Sequence, residues 1–372
     1  MRILTTDYNN SPPRYVSIII VNGNKGWLSR CIQSITATLY PCSKFEVIVV
    51  DNASGDDLES IEKTFAGVRI VKLGKNVGYP KAVNIGAECC KGEYIAVLNN
   101  DVIVSPNWLR DLAGILERDE SVGAVCPRKI SLLMNEVLDG CGGTINILGQ
   151  GWDRGESEID IGQYSDLAEV THPSGAIFLT RKKIMDIFGF LLNPDFFILM
   201  EDVDFGLRCW KYGYRVLYDP NCSVYHARSP MLGGLNEHNL YLYTKNTLAM
   251  IFEIFDLPTF IRLFPIMIET QFAQALYLLS FHKKSHAVPS VLRGVKDFLF
   301  DLRVYSGRRV GAAKKKDKEI LNKFSQSLVI YEEAKRYEKL IKLFLSINNL
   351  YIKLVLNAEP IKDIRYFRTS PR

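Results

Sequence analysis

Two acidic clusters and one histidine carry the chemistry that can be read from this chain. Asp101 closes the tripeptide Asn99-Asn100-Asp101, which follows an apolar run from Glu93. A carboxylate flanked by amides at a strand end can hold a hard cation that keeps several waters, and a diphosphate would complete its oxygen shell. The same tripeptide could instead cap a turn or helix, since Ser105-Pro106 follows closely. Glu201-Asp202-Val203-Asp204 puts three carboxylates side by side behind the run PDFFILM. Such a group needs a metal, cationic partners or solvent. It also suits a solvated helix start, where acids are favoured, and Arg208 stands at i+4 from Asp204 and can pair with it. His226, in SVYHARSP, would by itself be an ordinary structural histidine. Beside two acidic clusters it becomes a candidate nitrogen ligand.

Together these parts suit chemistry on a nucleotide sugar. A departing diphosphate needs a cation to neutralise the charge it develops. An attacking hydroxyl needs a positioned carboxylate to take its proton. Asp51, at the end of another apolar run, could accept hydrogen bonds from a nucleobase.

The elements that must position these residues alternate regularly. Val16 to Val21, Phe45 to Asp51, Val68 to Leu73 and Glu93 to Asn99 are near-continuous apolar runs, as buried parallel strands require. Helical stretches fall between them: Gly26 to Tyr40, then GDDLESIEKTFAG with Ser54 or Asp56 as its cap, then Pro80 to Cys90. Strand and helix in this rhythm predict an α/β doubly wound sheet. Such sheets bind ligands at the carboxyl ends of their strands. Asn22, Asp51-Asn52 and Asn99-Asn100-Asp101 each stand at such an end, so three strand ends are expected to share one crevice rim. Beyond Val125 the pattern is less regular: Gly140 to Gly151 reads as a loop or hairpin and Ser174 to Thr180 as a strand. From about Tyr241 long apolar stretches with helical spacing dominate, with a last helical region expected from Ile320 to Asn357.

The segment from Val16 to His226 resembles the family 2 glycosyltransferases of GT-A fold, in particular their rhamnosyltransferase-like branch. The resemblance rests on an ordered set: SIIIVNGNKGWLSRCIQSI, VIVVDNASGDD, KNVGYPKAVNIGAECCKGEYIAVLNNDVIVSPNWL, PSGAIFL and MEDVDFGLRCWKYGYRVLYDPNCSVYH. It implies an inverting transfer from a nucleotide-diphosphate-sugar donor to an acceptor hydroxyl, in glycan or glycolipid assembly, with Mg2+ or Mn2+. Asp101 and His226 would ligate the metal. Asp202 would be the base, with Glu201 beside it. Val21, Asn22, Asn24, Asp51, Asn52, Asn76, Gly78, Lys81, Asn84, Asn99 and Asn100 would line the donor side, and Ser174, Gly175 and Asp204 the acceptor side. Gly23 departs from the pattern, standing where the family often has tyrosine, and Pro80-Lys81 is an unusual start to the following helix. Two other readings are a sugar nucleotidyltransferase, against which VNGNKGWL is a poor phosphate loop, and a non-catalytic membrane-attached subunit of the same fold, which would be expected to have lost the metal or base residues.

Composition sets outer bounds. The chain has 372 residues, 47% of them hydrophobic, and a net charge of +5, too weak by itself to argue for nucleic acid. Its 8 cysteines include no CxxC pair, which fits a reducing compartment better than a disulfide scaffold. The N-terminal stretch is polar and has no apolar signal core, so a cytoplasmic location is expected. The resulting plan is a tail over 1–14, a catalytic GT-A domain over 15–239 and a helical region over 240–372. The run Thr259 to Phe281 is apolar but interrupted by Arg262 and Glu269, and a basic stretch follows at Arg308 to Lys316. Two readings stay open for it: attachment to the inner membrane surface near a lipid-linked acceptor, or a subdomain packed on the sheet or pairing with a second copy.

Overall fold

The structure is a computed structural model that describes residues 13–23, 26–227, 236–311 and 313–367. Its strands are β1 (Val16–Asn22), β2 (Phe45–Asp51), β3 (Val68–Lys72), β4 (Tyr94–Asn99), β5 (Val102–Val104), β6 (Val122–Ser131), β7 (Leu138–Gly140), β8 (Gly143–Ile145), β9 (Gly151–Asp153), β10 (Ala168–Glu169), β11 (Ile177–Arg181), β12 (Arg215–His226), β13 (Ser327–Tyr331) and β14 (Asp363–Phe367). The helices used below are α1 (Leu28–Thr36), α2 (Glu59–Thr64), α3 (Tyr79–Glu88), α4 (Trp108–Arg118), α5 (Lys182–Phe188), α6 (Glu201–Lys211), α7 (Glu237–Ile254), α8 (Leu257–His282), α9 (Ala287–Phe300), α10 (Leu302–Ser306), α11 (Asp317–Leu321) and α12 (Glu338–Tyr351).

The central sheet runs β10-β12-β6-β11-β4-β1-β2-β3, with β5 on β12 and β7 on β6. Its β4-β1-β2-β3 half is parallel. β11 then enters antiparallel to both β4 and β6. The apolar runs become buried strands because both faces of the sheet are covered. Ile18 and Ile20 pack with α1 and α4 residues such as Ile32 and Trp108. Ile19 and Val21 face the other way, into a core that continues through α6 to α7, α8 and α9. The helical C-terminal region is therefore built into the same core as the sheet, and residue 239 lies inside α7 rather than at a boundary.

Gly140 to Gly151 forms the hairpin that was one of its two expected readings, β8 pairing antiparallel with β9. Two expectations are corrected. Ser54 and Asp56 do not cap α2, which starts at Glu59 behind Leu58. The last region is not one long helix. Ser327–Tyr331 pairs parallel with Asp363–Phe367, and α12 is the crossover between them.

Candidate active site

Register brings the three strand ends together as expected. Asn22 lies beside Asp51, and Val21 beside Asn99. The amides at this rim work largely on the protein itself. Asn22 is fully buried; its Nδ2 donates to Ser54 Oγ at 3.1 Å and Asp56 Oδ2 at 3.2 Å, and its Oδ1 accepts from Asn100 Nδ2 at 2.9 Å. Ser54 in turn donates its hydroxyl to Asp51 Oδ1 at 2.6 Å, so Ser54 and Asp56 are both engaged at this rim rather than at the start of α2. Asn52 donates to Asn76 Oδ1 at 3.0 Å and accepts the Val77 N–H at 2.9 Å, fixing the loop before α3. Asn84 is spent on the backbone of residues 191 and 192, accepting two N–H groups and donating to Leu192 O at 2.7 Å. Lys81 is exposed on α3, and Val21 is buried. Asn24 lies outside the described residues.

Gly78 (φ +88°) starts α3 where no side chain fits, since a Cβ would meet Phe197 O at 2.6 Å. This docks the loop over 76–78 onto the segment that leads into Glu201.

The far end of β12 meets Asp101. His226 Nε2 stands 3.1 Å from Asp101 Oδ1, and its Nδ1 stands 2.9 Å from Asp139 Oδ2 on β7. Burial works against protonating this ring, but the hydrogen bonds to Asp101 and Asp139 outweigh it and raise its pKa. Behind it, Lys129 sits between Asp139 at 3.1 Å and Asp153 at 2.8 Å, and Ser174 Oγ donates to Asp153 Oδ2 at 3.2 Å. Asp139, Lys129, Asp153 and His172 were not singled out from sequence. The usable signal was His226: a histidine ligand commonly has its second nitrogen on a carboxylate.

A divalent ion fits this donor set. Two ligand atoms on adjacent positions of an octahedral ion, each about 2.1 Å away, lie about 3 Å apart, which is close to the Asp101–His226 separation of 3.1 Å. Asp139 holds the imidazole in the required orientation. Among the described residues no cluster of three or more acidic, histidine or cysteine side chains could hold an ion unaided. The remaining ligands would be diphosphate and water.

Asp202 and Glu201 open α6. Asp202 Oδ1 accepts the Val203 N–H at 2.8 Å, and its Oδ2 faces His172 Nδ1 at 3.8 Å. A Cβ on Gly175 would come within 2.9 Å of that same Oδ2, so glycine there leaves the carboxylate its space. Both acids have raised pKa values through burial, Glu201 further by the neighbouring Asp202 charge, while Asp202 is drawn back by His172 and Lys129. Of the two, Glu201 is the one pushed up to about 8 by burial and the neighbouring Asp202 charge. Tyr79 is half-buried, its hydroxyl buried and without a partner among the described residues, and its pKa is raised by burial and then by Glu201, Asp202 and Asp101. A chain of contacts links the two acidic clusters: Asp101, His226, Asp139, Lys129, Asp153 and Ser174 lead to Gly175, beside which Asp202 Oδ2 lies.

Asp204 is placed elsewhere. It is fully buried and paired with Arg208 at 2.8 Å, and Arg208 also binds Glu253 of α7. Its carboxylate is turned into this ion-pair network and away from Gly175, the side on which acceptor contacts were expected.

Comparison with known proteins bears on the family and the fold. Residues 16–186 match the model of "Glycosyl transferase family 2". The chain is 29% identical to a pre-mycofactocin glycosyltransferase of Mycobacterium tuberculosis over 59% of its own length, and spans 44% of that protein. It is 27% identical to an N-acetylglucosaminyl-diphospho-decaprenol L-rhamnosyltransferase of the same organism, covering 59% of this chain and 78% of the other. Among solved structures, GalNAc-T7 with UDP, GalNAc and Mn2+ superposes with a TM-score of 0.55 at 18% identity over 80% of this chain and 58% of that one. TarS 1-349 of S. aureus gives 0.53 at 16% identity, over 79% and 83%. Those two share the fold. The chain thus has a GT-A fold, and its residues 16–186 match glycosyl transferase family 2.

Proposed function

We propose that the protein is an inverting transferase that moves a sugar from a nucleotide-diphosphate-sugar to an acceptor hydroxyl, with Mg2+ or Mn2+. The observation that carries this reading is the Asp101–His226 pair, 3.1 Å apart and backed by Asp139. Asp101 and His226 would hold the ion, and the ion would neutralise charge on the departing diphosphate. Asp51 and the rim around Asn99 and Asn100 would receive the nucleotide. Asp202 would take the proton of the acceptor hydroxyl as its oxygen attacks the anomeric carbon and the bond to diphosphate breaks. Ser174 and Gly175 would border the acceptor.

Thermal shift against nucleoside diphosphates with and without Mn2+ tests the donor side, since a ligand stabilises by mass action. We expect metal-dependent stabilisation that Asp101→Ala abolishes. Asp202→Asn should keep it while cutting turnover by about 10²–10⁴-fold. Turnover that survives EDTA, or a fully active Asp202→Asn enzyme, would overturn the corresponding assignment.

The acceptor is proposed to be a glycan or a lipid-linked sugar, the latter being what the name of the rhamnosyltransferase relative gives for that protein. An exposed apolar stripe supports this reading. Among the described residues no helix is long and apolar enough to cross a bilayer. Much of the run Thr259 to Phe281 is core, with Leu263, Ile266, Met267, Ala275 and Leu278 buried in α8. The better candidate is α12 and the turn after it. Leu340, Leu343, Ile347, Leu350 and Leu354 are all exposed and recur every three or four residues, with Lys339, Lys342 and Lys353 interspersed. An apolar stripe beside lysines is the pattern of a helix lying in an anionic membrane interface.

A further inference from the structure

The turn that delivers Glu201 and Asp202 runs against backbone preference. Leu199 and Met200 are consecutive non-glycine residues in the left-handed region, with φ of +73° and +70°. L side chains crowd the backbone there, so such residues persist only where their surroundings over-determine them. Here three successive carbonyls are each held from outside the turn. Phe197 O accepts the Tyr79 N–H at 2.8 Å. Ile198 O and Leu199 O both accept from Nδ2 of Asn246, each at 2.9 Å.

Asn246 is fully buried on α7, outside the matched residues 16–186. Its Oδ1 has no partner among the described residues. A buried amide with an idle acceptor is costly, and the side-chain hydrogen bonds it does make both go to this turn. The turn also sets where α6 points. Met200 is the N-terminal cap of α6, and its carbonyl accepts the Asp204 N–H at 2.9 Å. Were Met200 to relax to negative φ, the peptide before Glu201 would rotate and the first turn of α6 would swing with it.

We infer that Asn246 is a positioning residue of the active site: it pins the left-handed Leu199–Met200 turn so that α6 begins with Asp202 facing Gly175. The C-terminal helical region thereby sets the geometry of the acid pair without touching a substrate. The inference rests on Asp202 being the base.

The test uses the full chain. In Asn246→Ala, hydrogen exchange should quicken over residues 199–204 while the sheet strands keep their protection. Release of nucleoside diphosphate from a panel of UDP- and GDP-linked sugars with Mn2+ should lose kcat by about 10²-fold, the scale of a misplaced reacting group, with donor KM little changed. Adding Leu199→Gly should restore exchange protection and part of the turnover, because glycine takes the left-handed conformation readily and Leu199 is only half-buried. An asparagine that merely filled the core would lower Tm without splitting kcat from KM, and glycine would not rescue it. Wild-type exchange over 199–204, wild-type kcat, or a double variant no better than Asn246→Ala would each overturn the inference. Should Asn246→Ala prove insoluble, the double variant is expected to be soluble, and an insoluble one counts against the pin. Asp202→Asn measured alongside separates the two claims: if it is fully active while exchange at 199–204 still depends on Asn246, the pin stands and the base assignment falls.

Discussion

Glu201 and Asp202 are neighbours in different surroundings, and burial sets them apart. Glu201 has Oε2 buried without a partner among the described residues, so its neutral form is the cheaper one. Asp202 keeps the cationic influence of His172 and Lys129 and part of its surface open, its side chain being 23% exposed. This makes a pH prediction with a definite sign. A carboxyl whose pKa is raised by folding binds its proton more tightly folded than unfolded. The stability it contributes is complete below its ordinary value of 4.5 and is lost as pH rises through the higher folded value. Glutamine mimics the protonated acid and cannot ionise. Glu201→Gln should therefore make Tm fall less steeply between about pH 5 and pH 8 than in the wild-type protein. Equal slopes in metal-free thermal melts would show that Glu201 carries no such proton. The acidic pair itself could be read from the sequence, and so could the pairing of Asp204 with Arg208. Which acid would keep the proton could not, because His172 and Lys129 reach the site from distant parts of the chain.

At the scale of elements, β1, β2 and β4 were legible because each is a continuous apolar run with a polar end, as a strand covered on both faces requires. What escaped the sequence lies where geometry depends on distant contacts. Asp139 and Asp153 sit on three-residue strands with no periodicity to betray them. The short run Ser327–Tyr331 was absorbed into a helical reading because its partner, Asp363–Phe367, is far along the chain. The left-handed pair Leu199 and Met200 carries no glycine to mark it. Two glycines of the resemblance do have separable meanings here, and a matched pair of variants tells them apart. Gly175→Ala would press only on the movable Asp202 carboxylate, at 2.9 Å, whereas Gly78→Ala would press on the Phe197 backbone at 2.6 Å from a φ of +88°. Gly175→Ala should keep Tm and nucleoside diphosphate binding near wild type while turnover falls by about tenfold or more, as for a displaced base. Gly78→Ala should lose stability and binding together. Equal Tm losses in the two would contradict this division.

For the whole molecule, the question is how a chain with no spanning helix among its described residues would meet the lipid-linked acceptor proposed for it. One core answers half of it. Leu248 and Ile251 of α7 and Phe255 just after it share a core with Leu191, Val203 and Phe205 of the catalytic half, and Glu253 completes the Asp204–Arg208 network. Cutting the chain after residue 239 would expose all of these and remove Asn246, so the truncated protein should be insoluble. It therefore cannot report on membrane binding. Surface variants can. Leu343, Ile347 and Leu350 are 59%, 57% and 60% exposed, so replacing them by serine removes apolar contact without opening the core. Lys339→Glu with Lys342→Glu removes the attraction to anionic headgroups, worth about 1 kcal/mol per basic residue near the surface. Full-length protein should float with phosphatidylserine-containing vesicles, release as salt is raised, and fail to float in either variant, each keeping its Tm. The competing occupant of this stripe is the same stripe of a second copy. That case has a different signature: a dimer in solution that ignores vesicles and falls to monomer in the serine variant. The lysines make it the weaker case, because pairing the stripe with itself would bring like charges together, whereas an anionic surface pairs them with the opposite sign.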